Sequence, residues 1–171
     1  MSKQPGIPEE QLRACLQDQY ELYPVTLEFL PIGKDYNAGV YRVVNEQGRA
    51  SLLKVTSRSL DVASCLVPHY LRNQGITSVV APIPTRSGAL WTKIGDWTAI
   101  VYPFIDGDTS LTGMTDAQWK EVGTTFKQIH QVRLEQRIQG SDQRLIAQER
   151  IVSAAGSSNP APVESIANQR V

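Results

Sequence analysis

Two β-branched, apolar runs, VYRVV (40–44) and ASLLKVT (50–56), flank the polar tetrad NEQG (45–48). Runs of this composition pair most readily by folding back on each other, with Gly48 free to take a positive φ in the turn. TLEFLPI (26–32) adds a third strand on which Leu27 and Phe29 share one face, and GKDYNAG (33–39) is the loop between them. A second hairpin is predicted further on. ALWTKI (89–94) and WTAIVYPFI (97–105) are joined by Gly95-Asp96, a dipeptide suited to a tight turn.

Helical periodicity fills the intervals. Pro8 is placed in a first helical turn, followed by Glu9 and Glu10, with Leu12, Cys15, Leu16 and Tyr20 on one stripe and Pro24 ending the pattern. Residues 59–74 carry Leu60, Ala63, Val67, Tyr70 and Leu71 at helical spacing, with Gly75 as the stop and Pro68 expected to kink or split the helix. Thr115 caps a third helix, about 116–133, whose face is traced by Trp119, Val122, Phe126, Ile129 and Arg133. The order is helix, three strands, helix, two strands, loop, helix. This is an α+β domain with a five-stranded, meander-like antiparallel sheet. Beyond Phe126 no aromatic residue occurs. QRLIAQERIVSAAG (143–156) is expected to be helical and GSSNPAPVESIANQRV (156–171) disordered.

Composition removes several classes of function. Lys+Arg and Asp+Glu balance at 17 each, so no field recruits nucleic acid or an anionic membrane. Cys15 and Cys65 have neither C-x-x-C spacing nor a histidine cluster, which excludes a zinc site and a disulfide framework and fits two reduced thiols in a cytoplasmic protein. The first residues lack the apolar core of a secretory signal, and no stretch approaches the roughly 20 apolar residues of a membrane span. Trp91 and Trp97 read as core or edge residues of a hairpin, not as a base-stacking platform.

Lys54 interrupts the second run of the first hairpin. A strand lysine ordinarily points to solvent or snorkels. Its context offers a sharper reading. It follows a glycine-containing loop and a hairpin, a helix comes next, and two further strands end in YPFIDG (102–107). This is the order in which a kinase-like lobe presents its phosphate-binding lysine and the segment that reads adenine.

At this point the chain resembles the aminoglycoside phosphotransferase family, in its spectinomycin-phosphotransferase-like branch. The matching stretches are FLPIGKDYNAGVYRV, LLKV, LVPHYLRNQGI, VVAPIPTRSGALWTKIGDWTAIVYPFIDG and FKQIHQVRL. The resemblance implies a kinase-like N-terminal lobe over 1–105, a hinge loop and linker helix over 106–134, and a tail over 135–171. It implies ATP with Mg²⁺ and O-phosphorylation of a small hydroxylated acceptor. It places Lys54, Gly33, Asn37, Ala38 and Gly39 at the phosphates, and Tyr102, Pro103, Phe104 and Ile105 at adenine.

Three departures qualify it. The phosphate loop has Gly33 and Gly39 rather than three glycines. The helix position that usually carries the lysine's glutamate holds Val62, leaving Asp61 as a candidate partner for Lys54 or as a cap. No histidine-glycine-aspartate segment occurs. His69, His130 and Asp142 lack matching neighbours, so catalytic and metal residues are assigned to none. The expectation is a family member interrupted before its catalytic loop and nearly inactive alone. Such a chain would take a small-molecule substrate only with a second lobe supplied, and would self-associate through an uncovered linker helix. The alternatives are a non-catalytic lobe that binds nucleotide or a partner, and an unrelated α+β binding domain.

Overall fold

The computed structural model describes residues 4–32, 35, 37–107 and 112–132. They form α1 (Glu9–Tyr20), β1 (Pro24–Leu30), β2 (Ala38–Asn45), β3 (Ala50–Thr56), α2 (Ala63–Asn73), β4 (Thr92–Ile94), β5 (Trp97–Pro103) and α3 (Asp116–Gln131). All strand pairs are antiparallel, and the sheet order is β1-β2-β3-β5-β4. The α+β class and the five-stranded sheet with one inserted helix are as the sequence predicts. The order is not a simple meander, however. β5 enters beside β3, and the short β4 is left at the edge.

Alternation divides the sheet into two faces. Tyr41, Val43, Leu53, Val55, Ala99 and Val101 turn one way and are buried with Leu12, Leu16 and Tyr20 of α1, Ile7 and Ile94. Leu27 and Phe29 of β1 pack against this core, and Phe29 meets Tyr41 edge-on with ring centroids 5.5 Å apart. The C-terminal end of α1 is tied down by the chain before β4. The Arg86 N–H donates to the Gln19 carbonyl at 2.7 Å, and the Arg86 guanidinium meets Glu21 at 3.0 Å.

Several boundaries move from their expected places. Pro8 stands one residue earlier than expected, as the N-cap of α1 with ψ 136°, outside the helical region. α1 stops at Glu21, which takes a left-handed φ of 54°, and Pro24 instead opens β1. α2 is shorter than residues 59–74, because the chain turns at Asp61 before it starts; the Asp61 carboxylate accepts from the Ala63 N–H at 3.2 Å. The helix runs through Pro68 without splitting. The missing N–H deprives only the exposed Ser64 carbonyl, which water can satisfy. The strand expected over 89–94 contracts to three residues, and Ala38 and Gly39 belong to β2 rather than to the loop.

α3 follows its capping signal closely. Thr115 Oγ1 accepts from the Gln118 N–H at 3.3 Å, and Gln118 Oε1 accepts from the Thr115 N–H at 2.8 Å. No α3 residue is buried, and Trp119 and Phe126 are 49% and 58% exposed. The described residues belong to a unit that ends at Val132. The expectations of a helix over 143–156 and a disordered tail lie outside the described residues.

Candidate functional site

Lys54 occupies the middle of β3, opposite Val40 of β2 and Ile100 of β5. Its neighbours Leu53 and Val55 turn into the α1 core and are fully buried, so alternation sends Lys54 to the other face. That face also carries Leu52, Arg42 and Tyr102, which lie in one row across β2, β3 and β5. Lys54 therefore stands one strand from Val40, the residue after Gly39, and one strand from Ile100, two residues before Tyr102.

α2 contributes Cys65 to this side, fully buried. Burial pushes the Cys65 thiol above its ordinary pKa, and the nearby Lys54 ammonium opposes that rise. The Tyr102 phenol lies near the Cys65 thiol, and burial pushes the phenol well above its usual range. Both groups stay neutral near pH 7. Tyr102 and Cys65 thus form a neutral pair beside an exposed cation. Among the described residues the ion pairs are Arg13–Glu9, Arg58–Asp35 and Arg86–Glu21; Lys54 takes part in none. Asp61 is engaged with the backbone at the start of α2, and α2 has no acid in its first turn.

The segment after β5 runs past this row. Pro103 ends the strand, Phe104 is half-buried and Ile105 is 64% exposed. The Arg42 guanidinium lies 5.1 Å from the Phe104 ring centroid, a cation–π contact that ties this segment to β2.

The loop residues divide. Gly33 lies outside the described residues. The Asn37 carbonyl accepts from the Ser57 N–H at 3.0 Å, extending the β2–β3 ladder by one rung. Ala38 is buried. Gly39 lacks a positive φ and has a reason of its own to be glycine. A Cβ there would fall 2.6 Å from Pro5 Cδ and closer still to Pro5 Cγ. Its missing side chain makes room for the N-terminal segment on the α1 face, a packing role that the loop pattern does not reveal.

Sequence reasoning also misses Arg42, Cys65 and the Asp35–Arg58 pair. The hairpin register implied by NEQG is the available signal for Arg42, since it puts Arg42 opposite Leu52. Among the described residues no group of three or more His, Cys, Asp or Glu side chains is placed to hold a metal ion. Lysine offers no acceptor. These residues therefore do not fit Mg²⁺ by themselves. His69 is half-buried on α2, and His130 is exposed on α3.

No protein-family model and no curated protein matches the chain. Among solved structures, spectinomycin phosphotransferase in complex with ADP and spectinomycin matches with a TM-score of 0.70 and 28% identity, over 80% of this chain. The described residues share the fold of the kinase-like N-terminal lobe of aminoglycoside phosphotransferases. An AMP-bound complex of spectinomycin phosphotransferase matches with a TM-score of 0.64 and 21% identity over 91% of this chain, and agrees in fold. The chain spans only 42% and 49% of those two chains. Within this lobe the row of Arg42, Leu52 and Tyr102, with Lys54 beside it, lies on the sheet face opposite the α1 core. No helix among the described residues is long and apolar enough to cross a membrane.

Proposed function

We propose that this lobe is the nucleotide-binding part of an ATP-dependent small-molecule O-phosphotransferase. The observation that carries the reading is the position of Lys54, a cation with no carboxylate partner among the described residues, on the sheet face it shares with Tyr102. ATP supplies the phosphoryl group. Lys54 donates to the phosphate oxygens and neutralises part of their charge, while the Asn37–Gly39 backbone lies above them. The backbone of Tyr102, Pro103, Phe104 and Ile105 reads the adenine edge, and the half-buried Leu52 and Val40 supply apolar surface to the base. The neutral Tyr102–Cys65 pair adds no charge beside Lys54.

Catalysis of phosphoryl transfer needs metal ligands and a residue to orient the nucleophile as well as the lysine. The sequence contains no histidine-glycine-aspartate segment, and the described residues hold no metal-ligand set. We therefore read the chain as half of a catalytic constellation, with the acceptor, of the aminocyclitol or aminoglycoside type, bound by a second lobe. The exposed Trp119 and Phe126 on α3 favour this need for a partner surface.

Titration of ADP against the wild-type chain and Lys54→Ala tests the reading. Binding that weakens about tenfold or more in the variant is expected, because hydrogen bonds to charged groups are worth about 1.5–3 kcal/mol. Equal binding by both chains removes Lys54 from the site, and no binding by the wild type removes the nucleotide reading. Spectinomycin phosphorylation by the chain alone is expected to be undetectable.

A further inference from the structure

The loop that leads into β2 already holds an anion, supplied by the chain itself. The Asp35 carboxylate accepts the Asn37 N–H at 3.0 Å and meets the Arg58 guanidinium at 3.4 Å. Arg58 also donates to the Asn37 side-chain oxygen, from Nε at 3.1 Å and Nη2 at 3.2 Å, once that amide is oriented to suit its neighbours. Arg58 is anchored to the loop from the other side as well, since the Ser57 N–H and hydroxyl both donate to the Asn37 carbonyl, at 3.0 and 3.4 Å. One carboxylate thus sits against a backbone N–H and a guanidinium, two donor types that also recognise phosphate.

We propose that Arg58 is a second phosphate ligand for the nucleotide, and that Asp35 is the internal carboxylate which a bound phosphate displaces from Arg58 and the Asn37 N–H. This rests on the nucleotide reading above. Arg58 lies four residues after Lys54, at most about 13 Å along an extended strand. Two long side chains converging from that separation can reach neighbouring phosphates of one diphosphate or triphosphate. The Asp35–Arg58 pair is well suited to exchange. Its side chains are 40% and 65% exposed, and an exposed ion pair is weak. A phosphate brings more charge than a carboxylate and fits the planar guanidinium with two parallel hydrogen bonds. Asp35 then sets a threshold: it keeps Arg58 oriented toward the loop and raises the concentration of phosphate needed to occupy it.

The test compares ADP with adenosine, titrated by NMR against the full chain. Asp35→Asn keeps an acceptor for the Asn37 N–H and removes the charge. It is expected to tighten ADP about two- to fivefold, the range an exposed ion pair supplies, and to leave adenosine unchanged. Arg58→Gln is expected to weaken ADP by a similar factor, again without effect on adenosine. In the Arg58→Gln background, Asp35→Asn should give less gain than alone. If the ratio of ADP to adenosine affinity is the same in wild type and both single variants, the pair is only a structural latch and the proposal is wrong. A parallel shift of both ligands leaves that ratio unchanged and overturns the proposal in the same way. A wild-type chain that binds ADP, loses it in Lys54→Ala and ignores both substitutions overturns this inference alone. A wild-type chain that binds no ADP overturns the nucleotide reading and this inference with it.

Discussion

Leu16 and Leu53 are fully buried members of one cluster, Leu16 from α1 and Leu53 from β3. Leu16→Ala removes apolar contact that the surroundings cannot wholly refill. A loss of about 2–5 kcal/mol in urea-unfolding free energy is expected. Gly39 is limited by space rather than by backbone conformation. Gly39→Ala forces a methyl into the Pro5 ring and is expected to destabilise by about 1–3 kcal/mol. Adding Pro5→Ala should restore most of that loss, an outcome that a purely conformational role for Gly39 would not produce. Cys15 titrates with a consequence for alkaline stability. Burial, assisted by Asp18, pushes its thiol up from 9.0 to about 11. The folded state therefore holds its proton after the unfolded chain has released it. Stability is fully present below pH 9 and declines as pH rises toward 11. Tyr20 and Tyr102, both raised by burial, extend the same trend. Unfolding free energy measured from pH 8 to 11 should fall, and Cys15→Ala should flatten the part between 9 and 11.

At the scale of elements, the helices and hairpins are legible wherever local chemistry decides. The stripe of Leu12, Leu16 and Tyr20, the Gly48 and Gly95 turns with their positive φ, and the cap at Thr115 all appear where the sequence places them. Thr115→Ala should lower stability by about 1 kcal/mol and reduce helical ellipticity, since it removes the side-chain half of the capping box. Legibility fails where a distant partner decides. β4 is short because it pairs with only the first three residues of β5, and β5 takes the interior place beside β3. No periodicity within 89–94 reports which strand its neighbour prefers. α3 presents the opposite case. Its pattern is plainly amphipathic, yet Trp119 and Phe126 lie exposed. Replacing both by Glu is expected to reduce self-association in sedimentation experiments while leaving the melting temperature unchanged, because neither contributes to the described core.

At the scale of the whole molecule, the proposed nucleotide site has Lys54 but no metal-ligand group among the described residues. Nucleotide affinity of the chain should therefore be modest and strongly dependent on ionic strength, with ADP binding weakening as NaCl rises from 50 to about 300 mM while adenosine binding is unaffected. By itself the sequence determined the α+β class, the two hairpins, the lysine on the third strand and the likeness to a kinase lobe, because strand alternation, turn chemistry and chain order are local properties. Tertiary structure decided the strand order, the fit of Pro5 over Gly39, the approach of Tyr102 to Cys65 and the meeting of Asp35 with Arg58. Each of these depends on two segments arriving at one place, and residue spacing along a chain carries no record of which segments will meet.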